Sequence, residues 1–490
     1  MRSNVLIGSA ALLLALGGCG PDRVSTVTDT KDALTGTNLS TVEKARLVDR
    51  MAAEAATPQA RRELLKDIAW TASNGYTPRI RAINLLADDP LDPDGTDTRA
   101  MLGIMMGPEP DWAVIEHVCK LAADRGWTDL TPVLVRQLAK VRLNTPDTDR
   151  PEWAALTKLH PGKPMEDIAF EVFAAPEGVG LAKDRTERAR EAAWQLLTRL
   201  DKDGSRRREL MGSMAAAPAP AMVDVRTVAT DLGAIPLTAE ELSWVRTLRK
   251  PENAAWWAQA KSAVAALPAA ARQGLAVRHA EPVRWAAANE PSWVTMQRDE
   301  LAAILTERLK GRELFLRGDG GGDAGRGSER LADNVKRMVW GDLLSLLVLD
   351  RAVRSPGLAA RLAVQADEDQ RDTTTEYGGY IGADQRGAFA ANLYAPRPTQ
   401  RFSDTRFVAS DELLTNGATA LAVYHFHAQK HANAEFAGPS GGDVDYARDS
   451  GRLCLVFTPV REGVFNVDAY FGDRIRCDLG TIGGDAKAAR

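Results

Sequence analysis

Cysteine is scarce in this chain: four in 490 residues, at positions 19, 119, 454 and 477. The last three lack the paired spacing of a zinc ribbon or a redox motif and are too few for a disulfide framework. A bridge between Cys454 and Cys477, and a buried unpaired state for each, both fit the sequence; Cys119 is expected to pack on a helix. An excess of one charge is also missing. With 62 Lys+Arg against 66 Asp+Glu, the net charge is −4 and the isoelectric point about 6.0, which leaves no electrostatic footprint for nucleic acid. Past residue 19 no apolar run is long enough to cross a bilayer. All eleven tryptophans fall between residues 70 and 340 and none follows, and that shift in composition marks a change of structure.

The one long apolar run, 5–16, follows a single positive charge at Arg2 and is too short for a membrane-spanning helix, so it reads as a signal peptide. Small residues then lead to a cysteine in Leu16-Gly17-Gly18-Cys19, which resembles the lipobox of bacterial lipoproteins. The resemblance implies cleavage after residue 18 and a lipid on Cys19 that anchors the chain to a membrane of the cell envelope. Gly20 stands where an aspartate would favour inner-membrane retention, so the outer membrane is the expected address. Residues 19–39, rich in Thr, Ser and Asp and without periodicity, read as a polar tether.

Helical signals fill 40–316. Ser40-Thr-Val-Glu43 is a capping box, and Thr57-Pro58, Thr77-Pro78 and Thr131-Pro132 each set a threonine before a proline suited to a first helical turn. Leu64, Leu65 and Ile68, then Ile80, Ile83 and Leu86, recur at helical spacing. Helix following helix implies an all-α array, either a bundle or a stack loosely similar to HEAT repeats. The eleven tryptophans, Trp256-Trp257 among them, are expected as anchors of this helical part rather than as a ligand box. A Gly-rich linker is expected at 317–330, followed by an α+β domain over 331–482 and a frayed tail at 483–490. In that domain one helix at 331–351 and a shorter one opened by Ser355-Pro356 precede strands at 377–381, 388–394, 419–426, 453–457, 464–471 and 474–479.

Three of the six histidines fall within seven residues, in His425-Phe-His427 and His431. On a strand, residues two apart share a face, so His425 and His427 can converge on one metal ion while Phe426 packs behind them. Asp443, in Ser440-Gly-Gly-Asp443, can add an oxygen ligand, and Glu376, just before the first strand, suits a general base. Taken singly these residues also have ordinary readings. Ser440 and Asp443 are good helix caps, Glu376 a strand-edge charge, and His431 a loop histidine or an alternative ligand.

In this order the residues resemble the JAMM or MPN-type metalloenzymes: a glutamate on an early strand, then His-x-His, then Ser-x-x-Asp. The resemblance covers roughly residues 375–479. It implies one zinc ion held by His425, His427 and Asp443, with Glu376 taking the proton of the attacking water and Ser440 hydrogen-bonding the oxyanion. The chain departs from the family at Phe426, where Ser or Thr is usual, at Ala428, where Pro is usual, and in a longer loop before Ser440. The expectation is therefore a membrane-tethered, zinc-dependent hydrolase of amide or isopeptide bonds in envelope peptides or proteins. The alternative is a catalytically silent scaffold or binding lipoprotein, and a phosphoesterase is a weaker third reading because only Arg448 and Lys430 are basic near the motif.

Overall fold

The structure, a computed structural model, describes residues 30–176, 183–213, 220–316, 328–394, 396–472 and 474–483. The expected signal peptide, Cys19, residues 317–327 of the Gly-rich stretch and residues 484–490 of the tail lie outside the described residues. The segment expected as tether up to residue 39 takes up structure from Thr30. A six-residue helix, Thr30–Thr35, leads in, and Leu34 and Leu39 are buried. Two buried leucines suffice to dock a stretch whose composition is otherwise polar.

Among the described residues the chain is helical to Gln370, and a six-stranded mixed sheet follows. Ser40 and Glu43 form the expected capping box, and the hydroxyls of Thr57 and Thr238 cap the helices Pro58–Trp70 and Ala239–Leu248. Thr77 is not a cap. The helix Tyr76–Ala87 begins ahead of it, with Gly75 at φ 74° as N-cap, and Pro78 sits in the first turn, where a missing N–H costs nothing. The helix expected over 331–351 is broken into Leu331–Asn334, a 3-10 turn Val335–Arg337 and Trp340–Val353. The Arg298 guanidinium takes the carbonyls of Val335 and Met338, which a continuous helix would need for its own ladder.

The chain forms two compact units, residues 1–138 with 142–161, and residues 139–141 with 162–490. The described part of the first is a helical array in which several charges pair between different helices and their connections. Arg62 reaches Asp89 and Asp92, each at 2.9 Å and 27 and 30 residues on. Arg79 reaches Glu109, and Arg99 reaches Asp129, again 30 residues on. These pairs link segments about thirty residues apart, while the pairs themselves start 17 and 20 residues from one another and mark no fixed repeat.

In the second unit, the strands are β1 (Gly378–Ala383), β2 (Phe389–Tyr394), β3 (Ala422–Phe426), β4 (Cys454–Arg461), β5 (Val464–Phe471) and β6 (Ile475–Gly483), in the spatial order β2-β1-β3-β4-β5-β6. Only β3 and β4 run parallel, joined through the helix Gly441–Ser450. Alternation along these strands sorts the two faces. Tyr424, Phe426, Leu455 and Phe457 enter a large core with the helices from Val228 onward, whereas Cys454, Val456 and Tyr470 form a small cluster with Ala447. The tryptophans bind helix to sheet: Trp244 donates to the Ala418 carbonyl at 2.7 Å, and Trp285 donates to Gly387 at 2.9 Å and stacks on Phe389. The helices from Met165 to Leu309 therefore belong with the sheet, and the helical span of 40–316 divides near residue 161. Cys119, Cys454 and Cys477 are buried and free; β5 lies between the strands of the latter two.

Candidate metal centre

β3 is central in the sheet, with β1 antiparallel on one side and β4 parallel on the other. Tyr424 and Phe426 face the large core, so His425 must face the opposite side, and His427 follows on that side one residue past the strand. The His427 N–H still bonds the Phe457 carbonyl at 3.0 Å, which holds this residue in line with the sheet. Phe426 is fully buried against Tyr424 and Phe457, and Ala428 is buried too. Both departures from the family pattern are thus packing residues.

The helix Gly441–Ser450 delivers Asp443 in its first turn. Ser440 and Asp443 form a reciprocal capping box, with Ser440 N–H donating to Asp443 Oδ2 at 2.6 Å and Asp443 N–H donating to Ser440 Oγ at 3.3 Å. The ordinary and the functional readings of these residues therefore coincide, since the cap is what aims the carboxylate. Asp443 Oδ1 lies 3.4 Å from His425 Nε2, Asp443 Oδ2 lies 3.5 Å from His427 Nε2, and the two Nε2 atoms are 3.2 Å apart. Glu376 has an oxygen in the same group, within 4.8 Å of both imidazoles. His431 is exposed and is not among the residues lining this cleft.

The hydrogen bond of His427 fixes which of its ring nitrogens accepts. His427 Nδ1 lies 3.0 Å from the Phe436 carbonyl, which has no proton to give, so the ring proton sits on Nδ1 and Nε2 presents a lone pair. His425 Nδ1 lies 3.3 Å from the Tyr470 hydroxyl, and the ring is stacked parallel to Phe407. Gly378 pairs with His425 across β1 and β3; a Cβ there would stand 2.6 Å from the Phe407 ring, so only glycine lets Phe407 close over the histidine.

Burial pushes the Glu376 carboxyl up to about 7, against the pull of His427 and with repulsion from Asp443 adding to it. Burial also acts to raise Asp443, but the two imidazoles override it and hold its carboxyl well below the usual range. Glu376 is fixed by Gln429, whose Nε2 donates to Glu376 Oε1 at 3.1 Å and to the Asp404 carbonyl at 2.5 Å. Asn433 in turn donates to Gln429 Oε1 at 2.7 Å and to the His427 carbonyl at 2.8 Å. Gln429, Asn433, Tyr470 and Phe407 were not legible in the sequence as site residues, because none belongs to a spaced motif and the last two come from distant segments.

Two imidazoles thus converge with the Asp443 carboxylate on one side and an oxygen of Glu376 within 4.8 Å, with no cation among the described residues between them. For zinc bonds of about 2.0–2.1 Å at tetrahedral angles, neighbouring donors stand about 3.3 Å apart. The two Nε2 atoms, 3.2 Å apart, fit that spacing, and each has its own oxygen of the Asp443 carboxylate beside it, Oδ1 at 3.4 Å from His425 and Oδ2 at 3.5 Å from His427. The centre opens on a cleft of about 1010 Å³, walled by residues 403–409 on one side and by Lys430, Asn433, Phe436 and Tyr446 among others elsewhere. Compared with family models, curated proteins and solved structures, the chain matches none.

Proposed function

We propose that the chain is a lipid-anchored, zinc-dependent hydrolase that cleaves amide or isopeptide bonds in peptides or proteins of the cell envelope. The observation that carries this reading is the convergence of His425 Nε2 and His427 Nε2, 3.2 Å apart, on the Asp443 carboxylate, whose oxygens lie 3.4 and 3.5 Å from them, beside a cleft. The order of the motif and the mixed sheet support likeness to the JAMM-type family, with the helical array a HEAT-like addition. When bound, the ion supplies Lewis-acid polarisation of a carbonyl and acidifies a water.

The remaining work falls to the chain. Glu376, buried and raised to about 7, suits taking a proton from water and returning it to the leaving nitrogen near neutral pH. Gln429 keeps that carboxylate turned toward the histidines. The Ser440 hydroxyl uses an acceptor lone pair in its cap, so its proton is free to donate to a substrate oxygen on which negative charge gathers. The Phe407 ring shields the His425 imidazole from water. Cys19, by the lipobox resemblance, carries the lipid. The described residues begin at Thr30, so the ten residues between it and Cys19 span at most about 35 Å and hold the first unit close to the anchored residue.

Purified without chelators, the protein should carry one zinc per chain, and the absence of stoichiometric metal sinks the reading. Glu376→Gln should keep that zinc yet lose about 100-fold or more of turnover on a fluorogenic isopeptide. Cys19→Ala should release the protein from the membrane fraction.

The scaffold reading rested on Phe426 and Ala428. Both are accounted for by packing, and His425, His427 and Asp443 converge beside them.

A further inference from the structure

Apart from Glu376 and Asp443, the charged residues lining the cleft are Arg406 and Lys430, both cationic. Lys430 is paired with Glu435 at 2.9 Å. Arg406 has no carboxylate partner among the described residues; its guanidinium lies 4.9 Å over the Phe402 ring, an arrangement that occupies one face and leaves the N–H edge open. Its main chain is fixed beside the general base, since the Arg406 carbonyl accepts from the Glu376 N–H at 3.4 Å and from the Thr375 hydroxyl at 3.3 Å. An exposed guanidinium with no carboxylate partner among the described residues, on a residue that lines this cleft, is a ready bidentate partner for a carboxylate.

We propose that Arg406 is the anchor for a substrate carboxylate, so that the cleft takes peptides ending in a free C-terminal carboxylate in preference to blocked ones. The placing of that carboxylate close to a scissile amide rests on the zinc-hydrolase reading; the binding preference does not. Phe407, Val408 and Phe436 supply the apolar surface for the side chain of the terminal residue.

The test is calorimetric titration of N-acetyl-Ala-Phe and of its C-terminal amide into the metal-free full-length protein, in which zinc-dependent turnover is absent. The acid should bind about tenfold or more tighter than the amide. Arg406→Gln should bring the two affinities together by weakening the acid alone, Arg406→Lys should keep an intermediate preference, and Lys430→Gln should leave the preference intact. Equal binding of the two probes by the wild type, binding of neither at about 10 mM, or a preference that survives Arg406→Gln overturns the proposal. Zinc content after reconstitution of the same preparation reports on the hydrolase reading separately. A chain that takes no zinc but prefers the acid would sink that reading and leave the anchor standing.

Discussion

The helical array of the first unit and two clusters on the sheet of the second treat buried charge in opposite ways. In the helical array of the first, the three buried arginines each meet a carboxylate: Arg62 with Asp89 and Asp92, Arg79 with Glu109, Arg150 with Glu152 at 2.8 Å. Around the sheet of the second, buried acceptors gather without a cation. His425 and His427 converge with the Asp443 carboxylate on one side and an oxygen of Glu376 within 4.8 Å. On β5 and β6, Asp468 faces Asp478 across the ladder, and burial together with their mutual repulsion raises the Asp468 carboxyl far above its usual range. A charge pair is electrically complete and serves the fold. A set of convergent lone pairs is incomplete and calls in something from outside, a proton or a metal ion.

That contrast can be broken in descending order of effect. Arg62→Ala leaves two carboxylates unpaired in the helical array and should cost about 3–5 kcal/mol in urea unfolding, enough to melt that unit on its own. A loss under 1 kcal/mol would show that these buried pairs do not hold the array. His425→Ala should abolish stoichiometric zinc, and with it the stabilisation of about 2.7 kcal/mol expected at a zinc concentration 100 times its Kd. If the melting temperature of the variant still rises with zinc as the wild type's does, the metal sits elsewhere.

Asp369 offers a test by pH. Burial raises its carboxyl to about 8, aided by repulsion from Glu376 and Asp404, while the Tyr377 N–H bonds it at 2.6 Å. The unfolded chain releases this proton near pH 4 and the folded chain near pH 8, so the folded state binds more protons and loses stability as pH rises through that window. Asp369→Asn keeps the acceptor oxygen without the titration. It should match the wild type near pH 4 and exceed it by on the order of 2 kcal/mol at pH 8, read by urea melts at both. A constant difference at the two pH values would assign the effect to packing. The smallest effect belongs to Ser440→Ala, which loses one cap bond and about 1 kcal/mol yet should keep zinc, since Asp443 and both histidines remain. Loss of zinc in that variant would show that the cap fixes the ligand as well as the helix.

Much of the site was legible because its spacing follows backbone periods. His425 and His427 share a face for the same reason that Phe426 does not, and all six strands lie within a few residues of where alternation sets them. The charge pairs of the helical array were not legible, because they join segments about thirty residues apart, whereas apolar periodicity reports one helix at a time. Nor did the pattern tell that Thr77 would be passed over as a cap, or that Arg298 would break a helix some forty residues downstream; both depend on neighbours in space.

The sequence by itself determined the lipobox-like start, the passage from helices to strands, and the order Glu376, His425, His427, Ser440, Asp443, because each is written in local periodicity and spacing. Tertiary structure alone decided that the donor atoms meet at ligand distances and that Gln429 holds Glu376. It also decided that Arg406 stands unpaired in the same cleft, and that the helices after residue 161 share a core with the sheet. Those outcomes depend on segments tens to hundreds of residues apart being pressed together by burial of apolar surface, and no short window of sequence records which of them will meet.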